Sequence, residues 1–152
     1  MAIPELLHLN SEAEYKQYFV DNYCTPSPLL TWDGLPVMFY HDMFEHAFYK
    51  RSSHRWNAPK AMVDWDRCKR MPWIRDVLLD PTIIPRQGYD KATGKNDNSR
   101  RVVLMSKEKY VVVIRADKAR WRFVTAYIVD NMRTFTQLQN APVWQRPKEK
   151  AV

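Results

Sequence analysis

Apolar positions along this chain recur with two different periods, and the change falls near its middle. Tyr15, Phe19 and Tyr23 follow one another at four-residue spacing, and Ser11 with Glu14 makes a capping box, so a helix is predicted from about Ser11 to Asn22. Pro26 and Pro28 end it. Leu29 to Tyr40 reads as two short extended pieces around a tight turn at Asp33 and Gly34, with Pro36 assigning the second piece to an edge or a strand start. Met43, Phe44, Ala47 and Phe48 then fall on one helical face between His41 or Asp42 and about Lys50. Lys60 to Arg70 has helical composition, marked by Met62 and Trp65, and Pro72 suits the first turn of a further helix that runs to Leu79 and stops at Asp80 and Pro81.

Beyond a polar stretch from Gly88 to Ser99, which reads as a mobile loop, the period becomes that of strands. Arg101 to Met105, Tyr110 to Arg115 and Trp121 to Ile128 are rich in Val, Ile and aromatic residues, with short charged turns between them, and predict an antiparallel meander. A short helix to about Asn140 follows Asp130. Helices first and strands later predict an α+β domain, its N-terminal helices packed on one face of an antiparallel sheet of about four strands. The 152 residues fit one domain over 1–141 with its core at 29–130, and 142–152 reads as a basic tail that docks loosely.

Composition adds a partner to this picture. Apolar residues make up 45% and aromatic residues 13%, too many for a disordered chain. Lys and Arg number 24 against 17 Asp and Glu, a net charge of +7 that attracts phosphate backbones or acidic surfaces. Lys50, Arg51, Arg55, Lys60, Arg67, Lys69 and Arg70 are opposed only by Asp64 and Asp66, and Trp56 and Trp65 lie among them, a mixture that suits phosphate contact with base stacking or a solvated helix face. No apolar run approaches the ~20 residues of a membrane span, and the first residues lack a signal-peptide pattern, so a cytoplasmic protein without a membrane partner is expected. Cys24 and Cys68 lack paired spacing and read as free thiols.

Candidate chemistry centres on residues 41–50. Asp42, His46 and Lys50 fall at i, i+4 and i+8 of a helix and line up an acid, an imidazole and an ammonium, either as a catalytic stripe or as an ordinary polar edge. His41 lies about 140° from His46 around an ideal helix, and no Cys-x-x-Cys or His-Glu-x-x-His spacing occurs, so neither a metal nor another cofactor is expected. Strict alternation in the last strand places Trp121, Phe123, Thr125 and Tyr127 on one face and Arg122, Val124, Ala126 and Ile128 on the other. Thr125 and Tyr127 then offer two adjacent hydroxyls to a ligand, or serve strand propensity and burial. Arg100 and Arg101, at the entrance to the meander, read as edge-strand charges or as a phosphate clamp.

Phe44 to Phe48, Asp66 to Ile74 with Asp80 and Pro81, Arg100 to Val103, Tyr110 to Ile114 and Phe123 to Tyr127 together resemble the phage-associated branch of the barnase, EndoU, colicin and RelE-like ribonuclease superfamily. The resemblance runs from about Val37 to Asp130. It implies helices packed on a four-stranded antiparallel sheet, a nucleic-acid site on the open face, metal-independent RNA cleavage, and a toxin or phage-conflict role with a neutralising antitoxin or immunity protein. His46 is similar to the family's helical histidine, Thr125 and Tyr127 to its terminal Ser/Thr-x-Tyr pair, and Arg101 to the basic residue at the sheet entrance. The long segment from Gly88 to Ser99 and the lack of a clear second histidine depart from the pattern.

The expected roles join that resemblance to the charge pattern of the chain. His46 acts as general base or acid, Lys50 and Arg101 stabilise charge, Thr125 and Tyr127 orient the phosphate, and Arg51, Arg55, Arg67, Arg70 and Arg100 hold flanking phosphates. The rival readings are a nucleic-acid-binding accessory protein without catalysis, with Trp56 as a stacking platform, and an assembly protein of a virus-like particle.

Overall fold

Ser11 starts the first helix, α1 (Glu12–Asn22), by accepting a hydrogen bond from Glu14 N at 3.2 Å, while the Glu14 carboxylate reaches back to Asn10 N at 2.7 Å. Satisfying these amides in a closed local pattern is what a capping box does. The computed structural model to which this helix belongs describes residues 5–25, 29–51, 60–90, 95–117 and 120–145.

After α1 the chain turns at Gly34, whose φ of +77° favours glycine, and bridges Leu30 to Pro36 before β1 (Val37–Met38). Thr31 and Trp121 both donate to the Asp33 carboxylate, which ties this turn to a late strand. Helix α2 (Met43–Phe48) buries Phe44, Ala47 and Phe48 and runs directly into β2 (Tyr49–Arg51). The helix expected over Lys60 to Arg70 is divided. Lys60 to Val63 forms strand β3, antiparallel to β2, and only Trp65–Lys69 is helical, as α3. Asp64 separates the two by accepting from Arg67 N at 3.2 Å, which sets a helix start there. Helix α4 (Met71–Leu79) carries Pro72 in its first turn, where the missing amide proton costs nothing.

Four longer strands follow: β4 (Arg86–Asp90), β5 (Lys95–Met105), β6 (Tyr110–Asp117) and β7 (Arg120–Ile128), then α5 (Met132–Gln139). The sheet order is β1-β7-β6-β5-β4, antiparallel except that β1 runs parallel to β7. The protein is therefore mixed α+β with a five-stranded mixed sheet, rather than four antiparallel strands. The polar stretch read as a loop supplies much of the added pairing, since Gly88 pairs with Asp97 and Tyr89 with Asn96. Backbone amides pair whatever the polarity of their side chains, so hydropathy alone understated this hairpin.

One continuous core joins Tyr15 and Phe19 of α1, Phe44 and Phe48 of α2, Cys68 of α3 and Ile74 and Leu78 of α4 to Val102, Leu104, Val112, Ile114 and Phe123 of the sheet. The core thus begins well before residue 29. A second, smaller cluster of Val103, Val111, Val113, Val124 and Val129 takes Phe135 and Leu138 of α5, so this last helix covers part of the opposite face. The segment expected to be a loose tail is anchored at its start. Val143 bridges to Arg86, Trp144 N donates to Pro85 O at 2.8 Å, and the Trp144 ring packs edge-on to Trp121 at 5.1 Å. A tryptophan whose ring has an aromatic neighbour and whose main-chain amide is paired stays inside despite the charged residues after it in the sequence. Among the described residues, no helix is long and apolar enough to cross a membrane.

Candidate nucleic-acid interface

A single extra residue in β7 decides which side chains reach the face opposite α1 to α4. Val113 pairs with Thr125 and Ile114 with Phe123, so Val124 has no opposite number and forms a bulge. Strict alternation from Trp121 to Tyr127 fails at this point. Trp121, Phe123, Ala126 and Ile128 belong with the main core, whereas Val124 and Tyr127 join the second cluster. Thr125, paired with Val113, projects to that second face, as the partner of a residue must.

The same registers build a row of arginines. Arg101 of β5 stands opposite Arg115 of β6, and Arg115 opposite Arg122 of β7. Each lies next to a core-facing pair, Val102 with Ile114 or Ile114 with Phe123, and so points to the outer face. Arg101 and Arg115 are exposed and Arg122 is half-buried, its guanidinium 4.6 Å from the centre of the Tyr40 ring. No ion pair joins any of the three to a carboxylate among the described residues. Like charges directly opposite in a ladder destabilise it, which an anion lying across the strands would offset. Thr125 lies one pair along the face from Arg115 and Arg122. Gly88 abuts the row at its β4 side, since a Cβ there would sit 2.6 Å from Arg101 Cβ.

Of the residues expected in a site, Arg101 and Thr125 are thus on one face. Tyr127 reaches a different neighbour: its ring lies 5.5 Å from the Arg67 guanidinium, and burial raises its phenol pKa while Arg67 pulls it down. Arg67 also donates to Ala47 O at 3.1 Å and pairs with Asp64 at 3.5 Å, so it ties α2, α3 and β7 together. Arg70 donates to Asp66 O at 2.9 Å and lies over Trp73 at 5.3 Å. Arg67 and Arg70, two of the five side chains expected to hold flanking phosphates, are thus engaged within the fold.

His46 is exposed on α2, whose buried side chains pack on the core face of β7, and Lys50 is exposed on β2. The structure thereby sets the histidine on an element behind β7 and Thr125 in front of it. Arg55 and Trp56 lie outside the described residues, as do the side chains of Arg51 and Arg100. Among the described residues, no group of three His, Cys, Asp or Glu is placed to hold a metal ion.

Arg115 and Arg122 were missed as a pair by sequence reasoning. A hairpin closed at Ser106 to Lys109 sets Arg101 against Arg115, so the first half of the row was readable from turn position. The second half follows from the pairing of Asp117 with Arg120, which sets Arg115 against Arg122, and only the place of Thr125 needed the bulge. No family, curated protein or solved structure matches the chain.

Proposed function

We propose that this protein binds RNA across the outer face of its sheet and acts there as a metal-independent endoribonuclease. The observation that carries the binding half is the Arg101, Arg115 and Arg122 row, three arginines in register across neighbouring strands with Thr125 one pair along the same face. Arginine suits the role because its planar fork matches phosphate oxygens two at a time. The resemblance to the ribonuclease superfamily supports the catalytic half. In that chemistry the RNA 2′-oxygen attacks the adjacent phosphorus while a base takes its proton. The bond to the 5′-oxygen breaks as an acid protonates it, leaving a 2′,3′-cyclic phosphate. Arginines at the phosphate stabilise the charge of the five-coordinate state. His46 is the proposed base or acid. A toxin or phage-conflict role, with a protein partner that neutralises it, belongs to the same reading.

A second reading, binding without cleavage, is favoured by the placement of His46 on α2 behind β7 while Thr125 lies in front. Incubation with RNA in EDTA separates the two. Cyclic-phosphate ends that vanish in His46→Ala and in Arg101→Ala support cleavage. Stable, salt-sensitive binding with intact RNA supports the accessory reading. Failure to bind RNA at low salt overturns both.

A further inference from the structure

Strand β5 continues past its partner. β4 begins at Arg86, which pairs with Val103, so Leu104 and Met105 at the end of β5 have no strand on that side. The main-chain groups of an antiparallel strand alternate between its two neighbours. Ser106 N donates to Tyr110 O at 2.9 Å, which turns the groups of Leu104 and Ser106 toward β6. Gln87 N donates outward to Pro142 O at 2.8 Å, which turns those of Arg86 toward Val103. The Met105 amide and carbonyl therefore face the side that β4 leaves open. A regular continuation would set Ile84 against Met105, but that pair is not made and Ile84 is 53% exposed. Among the described residues, nothing in the main chain takes that place. An open strand edge is a template for another strand.

The space beside this edge is shaped for side chains. A cavity of about 850 Å³ reaches both sides of the sheet here: Trp73 and Val77 of α4 belong to the main core, while Met105, Phe135 and Leu138 belong to the second cluster. Successive residues of a strand point to opposite faces. An extended segment paired with Met105 would thus set one side chain beside Phe135 and Leu138 and the next toward Trp73 and Val77. Both faces being apolar, consecutive apolar residues fit, rather than the alternation of a half-exposed strand.

The rim adds charge: Asp76, Asp80 and Glu108 stand there against Lys107 and Arg86. Arg86 donates to Ala141 O at 2.8 Å. Bonds from Thr82 Oγ1 at 2.6 Å and Thr82 N at 2.8 Å, with the charge of Lys107 behind them, hold the Asp80 carboxyl below the usual range. Asp76 and Glu108 have no ion pair among the described residues, in a chain of net charge +7. They favour a cationic flank on whatever docks and disfavour nucleic acid.

We propose that this edge docks an extended segment of a partner protein, about three consecutive apolar residues flanked by Lys or Arg, which pairs with Met105 as an added strand. Arg101 precedes Met105 by four residues, roughly 13 Å of strand, so the segment leaves the arginine row uncovered. The inference does not depend on the RNA reading.

The test is calorimetric titration of the full chain with the capped peptide Lys-Leu-Val-Leu-Lys and with the same peptide N-methylated at its valine. The first is expected to bind one to one, and the second at least about tenfold more weakly, because it has lost the amide proton that pairs with Met105. Met105→Pro removes the protein's own amide at an edge position that tolerates proline, and should weaken the peptide similarly, whereas Met105→Leu should bind like the parent. Asp76→Lys with Glu108→Lys should weaken binding about fivefold at low salt, and the difference should close at high salt. Thermal midpoints report folding, and if Met105→Pro unfolds, the N-methylated peptide and the rim variant decide. No saturable binding, equal affinity for the two peptides, or a folded Met105→Pro that binds like the parent each overturns the docking edge. Affinity unmoved by the rim reversal overturns the cationic flank.

Discussion

Arg115 stands directly opposite Arg122 in the ladder between β6 and β7, and its other neighbour across the ladder is Arg101. A folded sheet that aligns three like charges carries an electrostatic cost that a neutral sequence would avoid. Function is the simplest reason for that cost to persist, and it can be measured from both sides.

Replacing Arg115 with Thr keeps strand propensity and removes the middle charge. Unfolding in urea should show a gain of about 0.2–1 kcal/mol from relief of repulsion. RNA affinity should fall, and the slope of log affinity against log salt should shrink by about 0.7 for one lost single-strand phosphate contact. A variant that is less stable and binds as well as the parent would contradict the assignment.

Gly88 makes a separate probe of the same row. Because a Cβ at this position would stand 2.6 Å from Arg101 Cβ, Gly88→Ala should push the strands apart and shift Arg101. The expected cost is about 1–3 kcal/mol of stability, typical of overpacking, with weakened RNA binding at temperatures where the variant remains folded. Unchanged stability would show that β4 gives way freely.

Trp144 tests where the domain ends. Its ring is 6% exposed and packs on Trp121, so Trp144→Ala should cost about 3–5 kcal/mol. Truncation after Asn140 should be at least as damaging, read as a lower denaturation midpoint. Either change being silent would return 142–145 to the status of a tail.

The thiols give a pH signature. Burial raises Cys24 to about 11, and burial followed by the Asp64 and Glu12 charges raises Cys68 to about 12. Unfolded thiols ionise near pH 8.5, so above that pH the native state holds more protons than the unfolded one. Stability should be level below about pH 8.5 and fall as pH rises toward 11, with buried Tyr23 and Tyr110 adding the same sign above about pH 10. Thiol labelling should reach half-buried Cys24 before fully buried Cys68. A midpoint that rises with alkalinity would reverse the sign.

Local patterns made much of this molecule readable in advance. The Ser11 cap, the Phe44, Ala47 and Phe48 face and the Val-rich strands all follow from spacing, because each depends on neighbours close in sequence. What escaped depended on distant partners. Lys60 to Val63 became a strand because β2 was there to pair with it, and β1 joined the sheet through Trp121 and Arg122. Trp144 found its place through Trp121 and Pro85. Of the candidate site, Arg101 was visible as a charge at a strand entrance. Its alignment with Arg115 follows from the turn at Ser106 to Lys109, and that of Arg115 with Arg122 from the pairing of Asp117 with Arg120, neither of which the charge pattern alone displays. Arg67 and Arg70 looked like surface charges, and their contacts with the Tyr127 and Trp73 rings came from the fold alone.

Val124 separates two properties that are usually entangled. Removing it would leave a regular ladder in which Trp121, Phe123, Ala126 and Ile128 still face the core and Arg122, Thr125 and Tyr127 still face outward. Charge and the partners within the main core would stay in place, and what would be lost is the bend that a bulge gives its strand together with the Val124 side chain of the second cluster. A deletion at this one position therefore asks whether RNA reads the curvature of the protein as well as its charge.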